Sequence, residues 1–444
     1  MINNKVSADS LNLPKSVLFI SGEDLTFDCV RYRCYHHQEQ LALAGIPSVV
    51  EWIGSPAIDL NHDLIFLHRV VYDNHVARIV SRVKELGKIL VYETDDLVFE
   101  PDLIRYLGYK FGKKTDILDS WMPIVQEGNL KTLEVCDCCV VSTDSLANRV
   151  RHRGKEVYVV RNAFSSDEFD LARKVWRQPT GAGGRIVLGY MSGTQTHNWD
   201  FAEIAEVLAC IMRKYRHVYL QITGPLQLPA ELLEFGYRVR HVPLVPLRYC
   251  FQVYGSLDIN LAPLQLREPF CQSKSEIKFV EAGMVGVPTV ASATESYCHA
   301  IDSGKTGLLA VNHEEWMSAL ESLVQKPDEI DRLGRNANAY VLEDYSPAKR
   351  SGELLMTISL IMERFGKASP MRNMGAKDKT LVHRSDFGFP PGRRPRLFPF
   401  SLAALKFLII LSRRIVKYEG CIGLLRYLAH VNPIRKILTK LKNS

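Results

Sequence analysis

The sequence lacks three features that mark particular classes of protein. Residues 1–16 contain no apolar segment, which predicts that no secretory signal peptide is present. The apolar stretch 402–416 is interrupted by charges and is shorter than the roughly 20 apolar residues that a membrane-spanning helix needs. The ten cysteines have none of the paired spacings of a zinc site, so we expect Cys136, Cys138 and Cys139 to be small buried residues in a reducing cytoplasm.

The sequence does contain enough apolar material for a sizeable core. Hydrophobic residues make up 46% and charged residues 24% of the chain, as in ordinary globular proteins. A length of 444 residues suits two domains and an appendage. The net charge of +7 is concentrated at the end, because residues 393–444 hold twelve Lys or Arg and a single acid, Glu419. The basic character therefore belongs to the tail and not to the body.

Two segments repeat a strand, a glycine turn and a helix, which is how a Rossmann-like unit opens. In the first segment an apolar strand at 17–20 ends at Gly22, and a helix over 29–44 follows. In the second segment an apolar strand ends in small residues around Gly193. Between the two, residues 170–184 have the composition of a linker, so we place a domain boundary there.

Charged side chains stand near the ends of the predicted strands, where α/β proteins bind ligands. Arg31 and Arg33 follow the first strand, and we take Arg33 as a donor-binding candidate, with a surface helix turn as the alternative. His68 ends another strand, where it is either a site residue or a buried histidine. Asp95 and Asp96 follow a third strand and either serve an acceptor and catalysis or cap the next turn. We rank a magnesium site there lowest.

The stretch 271–292 is the most informative part of the chain. Ser273 followed by Glu276 forms a capping-box pattern, which predicts a helix that starts at Ser273. Three apolar residues then recur at helical spacing and form one stripe that can face a core. They are Ile277, Val280 and Met284. A short buried strand follows the helix.

A second face of this predicted helix carries charge. Lys274, Lys278 and Glu281 lie together on it. Two lysines four residues apart repel each other by roughly 0.2 to 0.5 kcal/mol unless something negative lies between them. The face is either solvated, with Glu281 offsetting Lys278, or an anion site beside a helix N-terminus. Composition alone does not decide between these two uses.

The run K-S-E-I-K-F-V-E-A-G-M-V-G-V-P-T-V-A-S, residues 274–292, resembles the nucleotide-sugar signature of the retaining glycosyltransferases of family 4, which have the GT-B fold. The resemblance covers about residues 15–365. It implies that Glu281 binds the ribose hydroxyls of a nucleotide-sugar donor. It also implies that Lys274 and Lys278 contact the donor phosphates.

The resemblance suggests roles for residues near the strand ends as well. It implies that Gly22 forms the turn that admits the donor and that His68 lies near the transferred sugar. Backbone amides at Gly193 and Thr194 can cradle a diphosphate, which needs close approach of the backbone. The family follows this glycine with an Arg and a Lys, whereas here His197 occupies the stretch and is a candidate donor contact.

We therefore expect an α/β protein of the GT-B type, with two Rossmann-like domains facing across a cleft. The acceptor domain would span 1–178, the donor domain 179–345, and a helix over 346–366 would cross back to the first domain. A linker over 367–400 would lead to a basic amphipathic helical tail over 401–444. Because its charges alternate with large apolar residues, we favour peripheral binding of the tail to an anionic membrane surface. Packing on the body and binding to nucleic acid are the alternatives.

These expectations describe a cytoplasmic glycosyltransferase at the inner face of the membrane. It would move a sugar from a nucleotide-sugar donor to a polysaccharide or lipid-linked glycan, without a metal or other cofactor and, as the resemblance implies, with retention. Catalysis would come from stabilising the departing phosphate charge as the domains close. Two rivals stay open. One is a non-catalytic, membrane-tethered scaffold that binds a nucleotide sugar or glycan, favoured by Ser273 where the family has an acid, and the other is a nucleotide-sugar epimerase.

Overall fold

A computed structural model describes most of the chain before residue 367 and one short segment after it. Of residues 116–123 it describes the backbone only. The described residues are 11–101, 116–177, 184–193, 197–366 and 381–383. The predicted tail, 401–444, lies outside them.

The first domain is built on a parallel sheet whose apolar runs are strands, as the sequence predicts. The strands of this half, in chain order, are β1 (Val17–Ser21), β2 (Ser48–Trp52), β3 (Ala57–Asp59), β4 (Leu64–His68), β5 (Ile89–Thr94), β6 (Cys138–Val141) and β7 (Val157–Val159). Six of them form one sheet in the order β2-β1-β4-β5-β6-β7. All residues of β1, β4, β5 and β6 are buried, as expected for strands covered by helices on both faces.

Helices follow the strands of this sheet. They are α1, in three pieces (Asp28–Val30, a π-helical turn Arg31–Tyr35, and His36–Leu43), α2 (Asn74–Glu85), α3 (Asp116–Val135) and α4 (Asp144–Arg151). Side chains fix two of the starts, since Asp73 accepts hydrogen bonds from the first amides of α2 and Thr143 does the same for α4. Gly87, which has a φ of 62°, ends the turn after α2.

A helix occupies the first part of the segment that the sequence predicts to be a linker. Helix α5 (Ser166–Arg173) begins at a capping box formed by Ser165 and Glu168. Its Phe169 and Ala172 pack in the core of the second domain. The predicted linker over 170–184 is therefore wrong as far as Arg173, because this helix has a core to pack against.

The second domain holds a second parallel sheet of six strands. They are β8 (Ile186–Met191), β9 (Val218–Thr223), β10 (Val239–Val242), β11 (Ile259–Ala262), β12 (Thr289–Ser292) and β13 (Gly307–Ala310). The order is β10-β9-β8-β11-β12-β13. This is the 3-2-1-4-5-6 order of dinucleotide-binding sheets, in which the direction of winding reverses between β8 and β11.

Helices cover both faces of the second sheet. They are α6 (Asn198–Ala202), α7 (Ala205–Lys214), a 3-10 segment (Ala230–Arg238), α8 (Leu247–Gly255), α9 (Pro269–Gln272), α10 (Ile277–Met284), α11 (Glu295–Ala300), α12 (His313–Gln325) and α13 (Pro327–Asp344). Two clusters of buried apolar residues, one on each face, form the core of the domain.

The last long helix returns to the first domain, as predicted. Helix α14 (Pro347–Phe365) begins where Ser346 caps the amide of Lys349. Its Leu354, Ile358 and Ile361 are buried in the same apolar cluster as β1. The Ser351 hydroxyl donates to the carbonyl of Gln40 in α1 over 2.7 Å. Helix α14 therefore completes the helical layer of the first domain.

A short strand interrupts the predicted linker over 367–400. Strand β14 (Leu381–His383) pairs antiparallel with β3, and Val382 lies opposite Ile58. Val382 also packs against the core of the first domain. The linker prediction is therefore wrong at these three residues, because they extend the first domain.

Within the described ranges no helix combines the length and the apolar character needed to cross a membrane. The same residues contain no group of three His, Cys, Asp or Glu side chains placed to hold a metal ion. Cys136, Cys138 and Cys139 are buried in the first domain, as the sequence predicts. Burial raises the pKa of all three thiols, which favours their inert thiol form.

Candidate functional site

The carboxyl edge of the first sheet faces one segment of the second domain, residues 273–296. After β5, the Asp96 carboxylate lies 3.3 Å from the Lys274 ammonium. After β7, the Asn162 amide donates to the Ser275 hydroxyl over 3.0 Å. The two domains therefore meet across a cleft whose walls are the carboxyl ends of strands, which is where open α/β sheets bind ligands.

The second wall of the cleft is the point where the second sheet reverses, between β8 and β11. Asn260 of β11 donates to the carbonyl of Lys278 over 3.1 Å and to the Thr289 hydroxyl over 3.0 Å, which holds α10 at this point. The Lys278 ammonium lies 5.5 Å from the centre of the Tyr190 ring of β8. Helix α10 thus presents its charged face where a nucleotide binds in folds of this kind.

The start of α10 differs from the prediction. The helix begins at Ile277 and not at Ser273, whose hydroxyl donates instead to the Pro269 carbonyl over 2.9 Å. The Glu276 carboxylate accepts a hydrogen bond from the Tyr345 hydroxyl over 2.8 Å. The predicted capping box is therefore wrong, because each of its two side chains has a different partner.

The apolar stripe of α10 is placed as predicted. Val280 and Met284 are buried in the core of the second domain, and the partly buried Ile277 packs against the same cluster. This stripe fixes the rotation of the helix, and Lys278 and Glu281 lie on another of its faces.

Glu281 is bound by tyrosines from both domains. The Tyr32 hydroxyl of α1 donates to Oε1 over 2.7 Å, and the Tyr254 hydroxyl of α8 donates to Oε2 over 2.9 Å. Burial raises the pKa of Glu281, although these two donations oppose the rise. Each carboxylate oxygen can accept a further hydrogen bond, so the pair of oxygens remains able to bind hydroxyl groups of a ligand.

The two lysines of this segment have different surroundings. The Lys274 ammonium is paired with Asp96 and lies 4.2 Å from the centre of the Phe270 ring. No carboxylate oxygen in the described residues lies within ion-pairing distance of the Lys278 ammonium. Burial lowers the pKa of Lys278, since the charged form is poorly solvated there. A partly buried cation without an ion-pair partner favours an anionic ligand.

The loop after β8 approaches the same lysines. Gly193 is exposed, and no atom of the described residues beyond its chain neighbours lies within 4 Å of the position a β-carbon would take. Thr194, the other predicted backbone contact, lies outside the described residues. His197 Nδ1 lies 3.2 Å from Asp200 Oδ2, and burial together with the charge of Lys278 lowers the pKa of His197 to about 4.

Comparison with known proteins bears on both domains. Residues 205–356 match a family model described as glycosyl transferase-like. A curated relative, the D-inositol 3-phosphate glycosyltransferase of Gordonia bronchialis, is 28% identical over 119 residues. That match covers 26% of this chain and 26% of the relative, so the chain spans about a quarter of the relative's length.

Solved structures match the arrangement of both domains. HepE of Anabaena in complex with UDP has a TM-score of 0.55 at 14% identity, covering 78% of this chain and 100% of that one. The sucrose-phosphate synthase of Thermosynechococcus elongatus has a TM-score of 0.51 at 14% identity, covering 80% and 100%. The chain has the GT-B glycosyltransferase fold. Membership of family 4 in particular stays a prediction.

Two predicted site residues of this GT-B protein have fully buried side chains. Arg33 is fully buried, and its guanidinium donates to Glu93 over 2.6 Å and to Asn162 over 2.9 Å. His68 is also fully buried, 3.7 Å from Glu93 Oε2 and 3.5 Å from the Ser21 hydroxyl. The roles of Arg33 as a donor contact and of His68 as a neighbour of the transferred sugar stay predictions; in this conformation the Arg33 guanidinium is bonded to Glu93.

The two predicted carboxylates after β5 have separate environments. Asp95 accepts from the Arg69 guanidinium over 2.6 Å, and the charge of Arg69 holds the pKa of Asp95 well below its usual range although burial raises it. Asp96 is partly exposed and pairs with Lys274 across the cleft. Asp96 is therefore the carboxylate of this pair that reaches the opposite domain.

Gly22 is required by the packing of the backbone. A β-carbon at this position would lie 2.3 Å from the Arg69 carbonyl oxygen, and the Gly22 amide donates to the His68 carbonyl over 2.8 Å. The glycine therefore lets the turn after β1 lie directly against the turn after β4, and its role in admitting a donor stays a prediction.

Three residues of the site were not predicted from the sequence. Tyr32 and Tyr254 bind Glu281, and Asp200 orients His197. Tyr254 lies in α8, so its helical spacing was a possible signal. Tyr32 lies in the π-helical turn of GT-B helix α1, where the extra residue per turn changes which side chains face inward. Sequence periodicity assumes 3.6 residues per turn, so it could not predict that Tyr32 faces the site.

Proposed function

We propose that this protein is a glycosyltransferase that moves a sugar from a nucleotide-sugar donor to a glycan acceptor. One observation carries the proposal. On α10, at the reversal point of the second sheet, Glu281 is a carboxylate that can accept ribose hydroxyls. It stands three residues from Lys278, a cation that no carboxylate of the described residues pairs with. Side chains three residues apart on a helix are neighbours, so the two can bind adjacent parts of one nucleotide.

The donor would lie along the charged face of α10. Its ribose hydroxyls would donate to Glu281, whose position is set by Tyr32 and Tyr254. Its diphosphate would lie at Lys278, where an anion supplies the charge that the partly buried ammonium lacks. The UDP bound in the HepE structure supports testing uridine nucleotides first.

Transfer would depend on stabilising the diphosphate as it departs. Lys278 and Lys274 would stabilise the developing negative charge, and partial exclusion of water strengthens that interaction. Asp96, which pairs with Lys274 across the cleft, would face the acceptor and take its hydroxyl hydrogen bond. The ion pair between Asp96 and Lys274 also couples the acceptor side of the cleft to the donor side, as closure of the two domains requires.

The finer parts of the proposal rest on the sequence. We propose retention of the anomeric configuration and transfer of a hexose, because the segment 274–292 resembles that of the retaining family 4 enzymes. We propose a polysaccharide or lipid-linked acceptor, no metal requirement, and peripheral attachment at the cytoplasmic face of an anionic membrane, because the tail 401–444 is basic and amphipathic.

A nucleotide-release assay tests the proposal. The purified full chain is incubated with UDP-, GDP- and dTDP-linked sugars, with and without membrane extract, and free nucleotide is measured. We expect release with one donor class. Glu281→Gln keeps the size and shape of the side chain but removes its charge, so we expect it to lose most of that release.

Two outcomes would contradict the proposal. Binding of a donor without release in the presence of extract would favour a non-catalytic binding protein. Release that Glu281→Gln leaves unchanged would show that the charged face of α10 is not the donor site.

A further inference from the structure

His197 is held in one orientation by a buried carboxylate. Its Nδ1 lies 3.2 Å from Asp200 Oδ2, and the other oxygen of Asp200 accepts a hydrogen bond from the Cys271 thiol over 3.2 Å. These bonds lower the pKa of Asp200 against the effect of burial, so the carboxylate is ionised. An ionised carboxylate can only accept hydrogen bonds. Nδ1 of His197 therefore carries the hydrogen, and Nε2, for which the described residues supply no hydrogen-bond partner, is left for a ligand.

Burial and the charges of two lysines lower the pKa of the His197 imidazole. Lys278 of α10 and Lys274 of the preceding loop act on it, while Asp200 on its own helix is the carboxylate that opposes them. Cys271 faces Asp200 from α9 as a neutral thiol. The His197 side chain is 16% exposed. Burial and the charge of Lys278 thus keep the ring neutral at pH 7 while the cleft is empty.

We propose that His197 is a proton-linked ligand of the donor diphosphate. When the diphosphate enters beside Lys278, its negative charge outweighs the positive charge of the two lysines. Nε2 then takes up one proton from solvent. The resulting imidazolium donates from Nε2 to a phosphate oxygen, and no covalent bond other than the new N–H is made or broken. This inference rests on the proposed function, because it needs a nucleotide diphosphate in the cleft.

We expect the affinity for the donor to fall as pH rises. The pKa of His197 is about 4 in the empty protein and rises when the anion binds. At a pH between the pKa of His197 in the empty protein and its pKa in the complex, the complex holds more protons than the free protein and free donor together. Donor affinity therefore falls as pH rises, by up to about tenfold per pH unit. The diphosphate of a nucleotide sugar carries no terminal phosphate group, so it does not titrate near neutral pH and does not contribute to the effect.

Isothermal titration calorimetry in buffers of different ionisation enthalpy measures the protons taken up. The full chain is titrated with UDP-glucose, GDP-mannose and dTDP-glucose at pH 5.5, 6.5 and 7.5. With the donor that binds, we expect an uptake of roughly 0.5 to 1 proton at pH 6.5 and a dissociation constant that rises about three- to tenfold per pH unit.

Two variants separate His197 from other groups. His197→Gln should bind more weakly and take up at least about 0.5 proton less than the wild type. His197→Arg carries a permanent charge, so it should bind without that uptake and with little dependence on pH. Binding of a donor to the wild type without uptake, or equal uptake in His197→Gln, overturns this inference and leaves the proposed function standing. Failure of all three sugars to bind overturns both.

Discussion

Replacing Lys278 with methionine should weaken donor binding and stabilise the folded protein at the same time. The Lys278 ammonium lies partly buried over the Tyr190 ring, and no carboxylate in the described part of the chain pairs with it. Methionine keeps most of the hydrocarbon stem and removes the charge. The substitution therefore separates the charge of this residue from its packing.

The two effects have different sizes. A hydrogen bond that involves a charged group contributes about 1.5 to 3 kcal/mol, which corresponds to a loss of roughly 10- to 150-fold in donor affinity. Burying a polar group without a partner costs about 1 to 3 kcal/mol, and the low end applies because Lys278 keeps some exposure. We therefore expect a gain of about 1 kcal/mol in the free energy of unfolding.

Titration with a nucleotide sugar and thermal unfolding, both on the full chain, measure the two effects. Lys274→Met is the matched control, because it removes an ammonium that pairs with Asp96 and should not stabilise the protein. The pKa of Lys278 is lowered in the folded state, so the advantage of methionine is complete below that pKa. It disappears as pH rises toward about 10.4. A lower melting temperature or unchanged donor affinity in Lys278→Met would refute the reasoning.

Two further predictions concern the buried ion pairs of the first domain. Arg33→Met leaves the Glu93 carboxylate buried without its guanidinium, so we expect a loss of about 3 to 5 kcal/mol in urea unfolding. The double variant with Glu93→Gln should recover part of it, and a loss below about 1 kcal/mol would contradict the role of this pair. Asp95→Asn removes a carboxylate whose pKa Arg69 lowers, so its contribution is present above about pH 4 and is lost as pH falls. The stability difference from the wild type should shrink by about 1.4 kcal/mol for each pH unit below 4 in acid titration, and a constant difference would argue against the pairing.

The strands and the return helix could be predicted because they depend on local pattern. Runs such as 17–20 and 64–67 are apolar without interruption, and only a strand covered on both faces suits them in a chain of alternating strands and helices. The helix after Ser346 carries both a cap and a proline at its start. Each of these signals lies within a few residues of the element that it predicts.

The side-chain partners at the site depend on residues far along the chain. Ser273 and Glu276 have the spacing of a capping box, yet Glu276 binds Tyr345, which is 69 residues away. Arg33 stands near a strand end, yet Glu93 and the carbonyl of Val160 draw it into the core. Only the folded chain brings such partners together, so local pattern placed Glu281 and Lys278 on one face of a helix and gave no sign of the buried partners of Arg33.

Helix α14 has a consequence for the order in which the protein can fold during synthesis. The first domain needs Leu354, Ile358 and Ile361 to cover its apolar layer, and Gln40 bonds to Ser351 across a separation of 311 residues. At 5 to 20 residues per second, a ribosome takes roughly 15 to 60 s to add that length. Until then this face of the sheet has the cover of α1, through Val30, Cys34 and Leu41, but not that of α14, so we expect the nascent chain to expose the apolar strip that α14 covers later.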